Sequence, residues 1–218
     1  MSSKAKRPAY AMSRRRKAGV IALCLLLAAV FIWLDHSPLK RRWHQQPKSE
    51  AQARAYDLEK YHKKTFTVIK VVDGDTIDID IPDANKNYTR IRLWGIDTPE
   101  SKSPDTGVMY FGPQAAEFTS ELTRRKNVTV YLEEHRTRGK YGRLLAYVQL
   151  PDGRFLNEVL VAEGFAYADL RFRHSFYHRY QQLEASARRQ KKGLWEKVTR
   201  EQLPEWLQRM RPNLLQKK

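Results

Sequence analysis

Between residues 66 and 150 the β-branched and aromatic residues gather into five short runs, at 66–72, 75–81, 88–94, 128–133 and 144–150. This pattern restricts the fold more than any other feature of the chain. Runs of this length bounded by Gly, Pro, Asp and Asn are strand-sized, and too short for helices that bury one face. In the second run Ile77, Ile79 and Ile81 share one face and Thr76, Asp78 and Asp80 the other, the alternation of a half-buried strand. Asp78 and Asp80 are accordingly read as solvated. Helical patterns fill the gaps at 114–123, 157–163 and about 176–192, the last two stopped by Gly164 and Gly193. The implied class is α+β: a five-stranded, partly open Greek-key β-barrel of OB type with about three α-helices, a ferredoxin-like sandwich being the competing layout.

A chain of 218 residues has room for one such domain with appendages. Its net charge of +17 sits in the flanks. Residues 1–64 hold 15 Lys/Arg against 4 Asp/Glu and residues 188–218 hold 10 against 3, while the middle holds 16 against 17. A generic basic surface therefore does not define the central domain. The lone Cys24 excludes an intrachain disulfide and a multi-cysteine metal site. Residues 18–34 carry no charge and follow Arg14, Arg15, Arg16 and Lys17, which reads as a membrane-insertion signal. As a helix this run spans about 25 Å, workable for a hydrocarbon core of about 30 Å with Trp33 at the interface. An uncleaved transmembrane anchor is favoured over a cleaved signal peptide, because no small-residue cleavage site follows. The heavier basic cluster on its N-terminal side places the N-terminus in the cytoplasm and the domain outside, on a bacterial inner membrane facing periplasm or exterior, or else on a mitochondrial membrane. The resulting segments are a basic 1–17, the anchor 18–34, a polar spacer 35–64 with a short helix near 51–61, the domain 65–196, and a basic extension 197–218.

Three stretches carry chemistry: Val72-Asp73-Gly74-Asp75-Thr76, then Arg92 through Asp97-Thr98-Pro99-Glu100, then Lys140-Tyr141-Gly142-Arg143. Carboxylates for a cation, a further carboxylate for a water and two guanidinium groups for a phosphate are what hydrolysis of a polyanionic ester requires. Taken singly, each acidic stretch is an ordinary turn. Together they gain weight, because an antiparallel strand pair running from Asp75 and back through Arg92 to Asp97 brings the acids to one end of a sheet.

Residues 66–195 resemble the thermonuclease, or staphylococcal-nuclease-like, family of OB-fold nucleases. The resemblance rests on Val68-Ile69-Lys70 through Asp75-Thr76, Arg92 through Glu100, Tyr110 through Gly112-Pro113, Lys140 through Arg143 with Leu145-Ala146-Tyr147, Asn157-Glu158 and Leu194-Trp195. It implies a Ca2+-dependent endonuclease that cleaves DNA and RNA to 3′-phosphate products. It also implies Asp75, Asp97 and the Thr98 carbonyl as metal ligands, all hard oxygen donors suited to Ca2+. Asp73 becomes a carboxylate orienting metal-bound water. Glu100 becomes the residue that acts on the attacking water, and either accepting its proton or positioning it suits a carboxylate there. Arg92 and Arg143 become phosphate contacts, where a planar guanidinium donates two hydrogen bonds and lysine cannot. Lys140, Tyr141 and Phe172 are the candidate substrate-binding residues.

The chain departs from the family archetype in the loop after Glu100, which carries Asp105 where lysines are expected, and in having Leu170 beside Phe172, which leaves one ring for base stacking. Tyr167, Phe176 and Tyr177 are alternative rings. The six histidines have no ligand spacing and read as structural or solvated. Beyond Trp195, Leu203, Trp206, Leu207 and Met210 recur at helical spacing, either packing on the barrel or, with the nearby basic residues, lying on the membrane. Other readings are a non-catalytic nucleic-acid-binding or interaction module on the same barrel, which should have lost several site residues, and a metal phosphodiesterase for small nucleotides. All the site residues are present.

Overall fold

The computed structural model describes residues 22, 23, 25–27, 29, 30, 49–102 and 107–215. Most of the expected anchor, residues 35–48 of the spacer and Asp105 lie outside these residues. The described residues at 22–30 are helical, with Leu23, Leu25, Leu26 and Leu27 exposed. Among the described residues no helix is long and apolar enough to cross a membrane.

From Glu50 onward the chain forms a separate compact unit. Its elements are α1 (Glu50–Tyr61), β1 (Lys64–Asp73), β2 (Thr76–Ile79), β3 (Thr89–Leu93), β4 (Ile96–Asp97), α2 (Gly112–Thr123), β5 (Asn127–Tyr131), β6 (Leu144–Gln149), α3 (Leu156–Ala162), β7 (Tyr167–Ala168), α4 (Tyr177–Arg189), a 3-10 turn (Gly193–Glu196) and α5 (Glu205–Met210). The five longer strands close into a barrel in the order β1-β2-β3-β6-β5, which excludes the ferredoxin-like sandwich. All neighbours are antiparallel except β3 and β6. The barrel is filled by Val68, Ile77, Ile79, Ile91, Leu93, Val128, Val130, Leu144, Ala146 and Val148, the inward-facing residues along its five strands.

Asp78 corrects the reading of β2 as half-solvated. It is buried because Arg90, opposite it on β3, covers the outer face and donates to both carboxylate oxygens at 2.7 and 2.9 Å. Asp80 is exposed as expected, and its Oδ1 accepts the Thr67 N–H at 2.8 Å.

The boundaries read at 65 and 196 fall inside this unit. Tyr61 of α1 is fully buried in the core. Asp57, 2 % exposed, accepts from Arg138 Nε at 2.9 Å and from Thr137 Oγ1 at 2.7 Å. Arg138 also reaches Asp83 at 2.6 Å and the Gly142 carbonyl at 3.0 Å, so α1 ties down the loop that carries Lys140, Tyr141 and Arg143. Breaking a buried ion pair from one side strands the remaining charge. Arg138→Ala is therefore expected to cost about 3–5 kcal/mol, read as a lower urea midpoint. At the other end Leu203, Leu207 and Leu214 pack with Tyr167, Ala187, Leu194 and Trp195 in a second apolar cluster. The face of α5 centred on Leu207 is thus packed within the domain, while Met210 is about half exposed.

Candidate active site

The site lies at one end of the barrel, where the β1–β2 turn, the end of β3, the exit from β4 and the loop before β6 meet. Register explains the meeting. Thr76 pairs with Arg92, so Asp75, one residue earlier, lies beside the end of β3, and its carbonyl accepts the Leu93 N–H at 2.9 Å. The parallel pairing of β3 with β6 sets Arg92 opposite Leu145, two residues beyond Arg143. Arg143, immediately before β6, is thereby brought close enough to Arg92 to feel its charge.

Arg92 is buried between two acids. One terminal nitrogen pairs with Asp75 Oδ1 and the other with Asp97 Oδ1. Burial disfavours the guanidinium charge, but the two carboxylates outweigh it and raise the Arg92 pKa. Asp75 also receives Thr76 Oγ1 at 2.9 Å on Oδ1 and the Thr98 N–H at 2.9 Å on Oδ2. Even so, burial, reinforced by the charges of Asp97 and Asp73, pushes its carboxyl above the usual range. Asp97 meets Arg92 on one oxygen and Trp206 Nε1 on the other at 2.7 Å, with Arg171 at 3.4 Å from that second oxygen.

Asp73 accepts the N–H groups of Gly74 at 2.9 Å and Ser101 at 3.2 Å, stitching the β1–β2 turn to the loop that carries Glu100. Gly112 lets that loop sit against the start of α2, since a Cβ there would lie 2.3 Å from the Glu100 carbonyl oxygen. Glu100 is half-buried, and its pKa is raised to about 7, first by burial, then by a shared hydrogen bond and charge repulsion with Asp73 and by the charge of Asp75. A carboxyl poised there is matched to taking a proton from water at neutral pH. Arg143 forms no ion pair among the described residues. Burial and the Arg92 charge hold its pKa below the usual arginine value, with Asp75 and Glu100 near enough to oppose the shift. Its donors are therefore available to an anion.

The residues fit a hard divalent cation. Asp73, Asp75, Asp97 and Glu100 outnumber the nearby guanidiniums, and their carboxylates are hard oxygen donors of the kind such a cation takes. Among the described residues there is no group of three or more acidic, His or Cys side chains arranged as a metal cage. Two carboxylates, a backbone carbonyl, water and substrate oxygens are compatible with that, because calcium takes mixed oxygen ligands.

The substrate-binding candidates divide. Tyr141 is 77 % exposed, with Lys140 and Arg143 each within 6 Å of its ring, at 5.7 and 5.8 Å. Phe172 is partly exposed, stacked on Trp94 at 5.8 Å, with Arg136 at 5.1 Å and Arg171 at 5.9 Å from its ring. Tyr167 is fully buried and cannot stack on a base; Phe176 packs on the core. Arg171 and Trp206 at Asp97 were not among the site residues read from the sequence, which placed Trp206 only in a helical pattern with Leu203, Leu207 and Met210.

Residues 90–197 match the family described as staphylococcal nuclease homologue. The thermonuclease of Staphylococcus hyicus is 38 % identical over 140 residues, covering 63 % of this chain and 79 % of that protein. An uncharacterized endonuclease of Escherichia coli is 34 % identical over 150 residues, 66 % of this chain and 84 % of its own length. The SPbeta prophage-derived endonuclease YokF of Bacillus subtilis is 33 % identical over 133 residues, 60 % of this chain but only 44 % of YokF. With this similarity spread over most of the thermonuclease, and with the acids and arginines gathered at one barrel end, the chain belongs to the staphylococcal nuclease family.

Proposed function

We propose that the protein is a Ca2+-dependent nuclease that hydrolyses phosphodiester bonds in DNA and RNA and leaves 3′-phosphates. The observation that carries the reading is the pairing of a half-buried Glu100, with its pKa raised to about 7, with an Arg143 that has no carboxylate partner among the described residues. The first handles a water and the second receives a phosphate. Asp75, Asp97 and the Thr98 carbonyl would hold the cation, which when bound supplies Lewis-acid polarisation of the phosphate and a more acidic water. Glu100 takes a proton from the attacking water or aligns it. Arg143 donates to a non-bridging phosphate oxygen and stabilises charge that grows in the transition state. Arg92, with five donors, can turn one edge to the phosphate while keeping a carboxylate on the other. Tyr141 and Lys140 border the entry to Arg143 and Phe172 offers a ring to a base, which supports a polymer rather than a small nucleotide as substrate.

The test is cleavage of end-labelled single-stranded DNA and RNA with Ca2+ or with chelator. Cutting with Ca2+ alone is expected; equal cutting in chelator, or none in either, would refute the reading. A second part of the proposal is a membrane anchor at 18–34 with the nuclease domain outside the cytoplasm. It is supported by the uncharged run and the basic cluster ahead of it, and protease accessibility in fractionated cells tests it.

A further inference from the structure

Residues 198–218 lie beyond the family match, yet one of them touches a residue of the site. Trp206 on α5 donates its indole N–H to Asp97 Oδ2 at 2.7 Å. Of the three tryptophans among the described residues it alone has a hydrogen-bond partner at Nε1, since those of Trp94 and Trp195 are buried without one. The placement is built. Leu203, Leu207 and Leu214 bury the segment against Tyr167 and Leu194. Arg211 pairs with the fully buried Glu184, whose other oxygen accepts the Ala168 N–H at 3.0 Å. Arg188 donates to the Leu214 carbonyl at 2.9 Å. Tyr167 and Ala168 form β7, the partner of β4, and Asp97 pairs with Tyr167. The tail is therefore fastened to the same two-stranded ribbon that presents Asp97.

We infer that Trp206 is a positioning residue for the cation site, holding the Asp97 carboxylate with a neutral donor and keeping the Arg171 guanidinium, already paired at 3.4 Å with the same oxygen, from closing to a direct hydrogen bond. The inference rests on the reading of Asp97 as a metal ligand. A neutral N–H fixes the carboxylate plane and leaves its negative charge to the cation; a guanidinium closing on the same oxygen would compete with the cation. Arg171 is poised to do so. It stands 3.4 Å from Asp97 Oδ2, held back by two 2.8 Å bonds to Asp169 and by the Trp206 ring, whose centre lies 4.4 Å from the guanidinium. Replacing the indole removes the donor and weakens the ring that retains the guanidinium.

The test is calorimetric titration of CaCl2 into the full chain as wild type, Trp206→Phe and Met210→Ala. Trp206→Phe is expected to weaken Ca2+ binding by about 10–100-fold, the usual effect of losing a partner that orients a ligand. Met210→Ala changes a half-exposed position of the same helix outside the cluster that anchors it and is expected to keep Ca2+ affinity within about twofold. Equal affinity in wild type and Trp206→Phe would overturn the inference, as would an equal loss in Met210→Ala, which would show that any change to α5 reaches the site. A wild-type chain that takes up no Ca2+ would instead overturn the metal reading beneath it, and that failure is separate because it appears before any substitution is compared.

Discussion

Replacing Glu100 by Gln is expected to slow nucleic-acid cleavage by about 10²–10⁴-fold, the range for loss of a positioned acid–base group. The same change should raise the melting temperature of the cation-free protein above neutral pH. Burial and the neighbouring Asp73 and Asp75 lift the Glu100 pKa from the ordinary 4.5 to about 7. The folded state therefore holds this proton more tightly than the unfolded chain. The stability it contributes is complete below the unfolded value and is lost as pH rises from about 4.5 through 7. Gln keeps the shape without the charge, so at about pH 8 in chelator it removes the repulsion, and the gain should fade on adding Ca2+. Thermal melts of both proteins at about pH 5 and 8, with and without Ca2+, check this; a variant that cuts at full rate would remove Glu100 from the reaction.

The second large effect separates the two arginines. Arg143→Ala is expected to lower turnover by about 10²–10³-fold with little change in melting temperature, since the side chain gives up no ion pair among the described residues. Arg92→Ala should instead cost the fold about 3–5 kcal/mol, because Asp75, only 1 % exposed, and Asp97 would face each other without their shared cation. Added Ca2+ should restore part of that loss by occupying the same carboxylates. Denaturation midpoints beside single-turnover rates distinguish the two outcomes. An Arg143→Ala enzyme of normal rate would show that phosphate charge is met elsewhere.

The barrel was legible because each of its five strands is long enough to display alternation or a β-branched run. β4 and β7 were not, since two residues show no period, yet β4 ends in Asp97. Asp78 misled because alternation says which face a residue takes and not what covers that face; Arg90, twelve residues away, supplies the cover. The same limit hid Asp57 with Arg138 and Asp97 with Trp206, pairs separated by 81 and 109 residues with no local signature. The candidate site residues are brought together because the motif order follows the strand order around one barrel end: Asp75, Asp97 and Arg92 meet in direct contact, and Glu100 lies near Asp73 and Asp75. Phe172 was legible as an aromatic residue but not as a ring stacked on Trp94 with Arg136 against both of them.

The Thr98 and Ser101 amides donate to the Asp75 and Asp73 carboxylates, not to other backbone groups. Their hydrogen exchange with solvent is consequently governed by the acids of the site. Protonation or a change of ligand at those two carboxylates alters protection at these peptide groups, while the barrel amides between β1 and β2 keep their own ladder partners. The chain thus carries a residue-level gauge of how its acidic centre is occupied, readable without substrate and without cleavage.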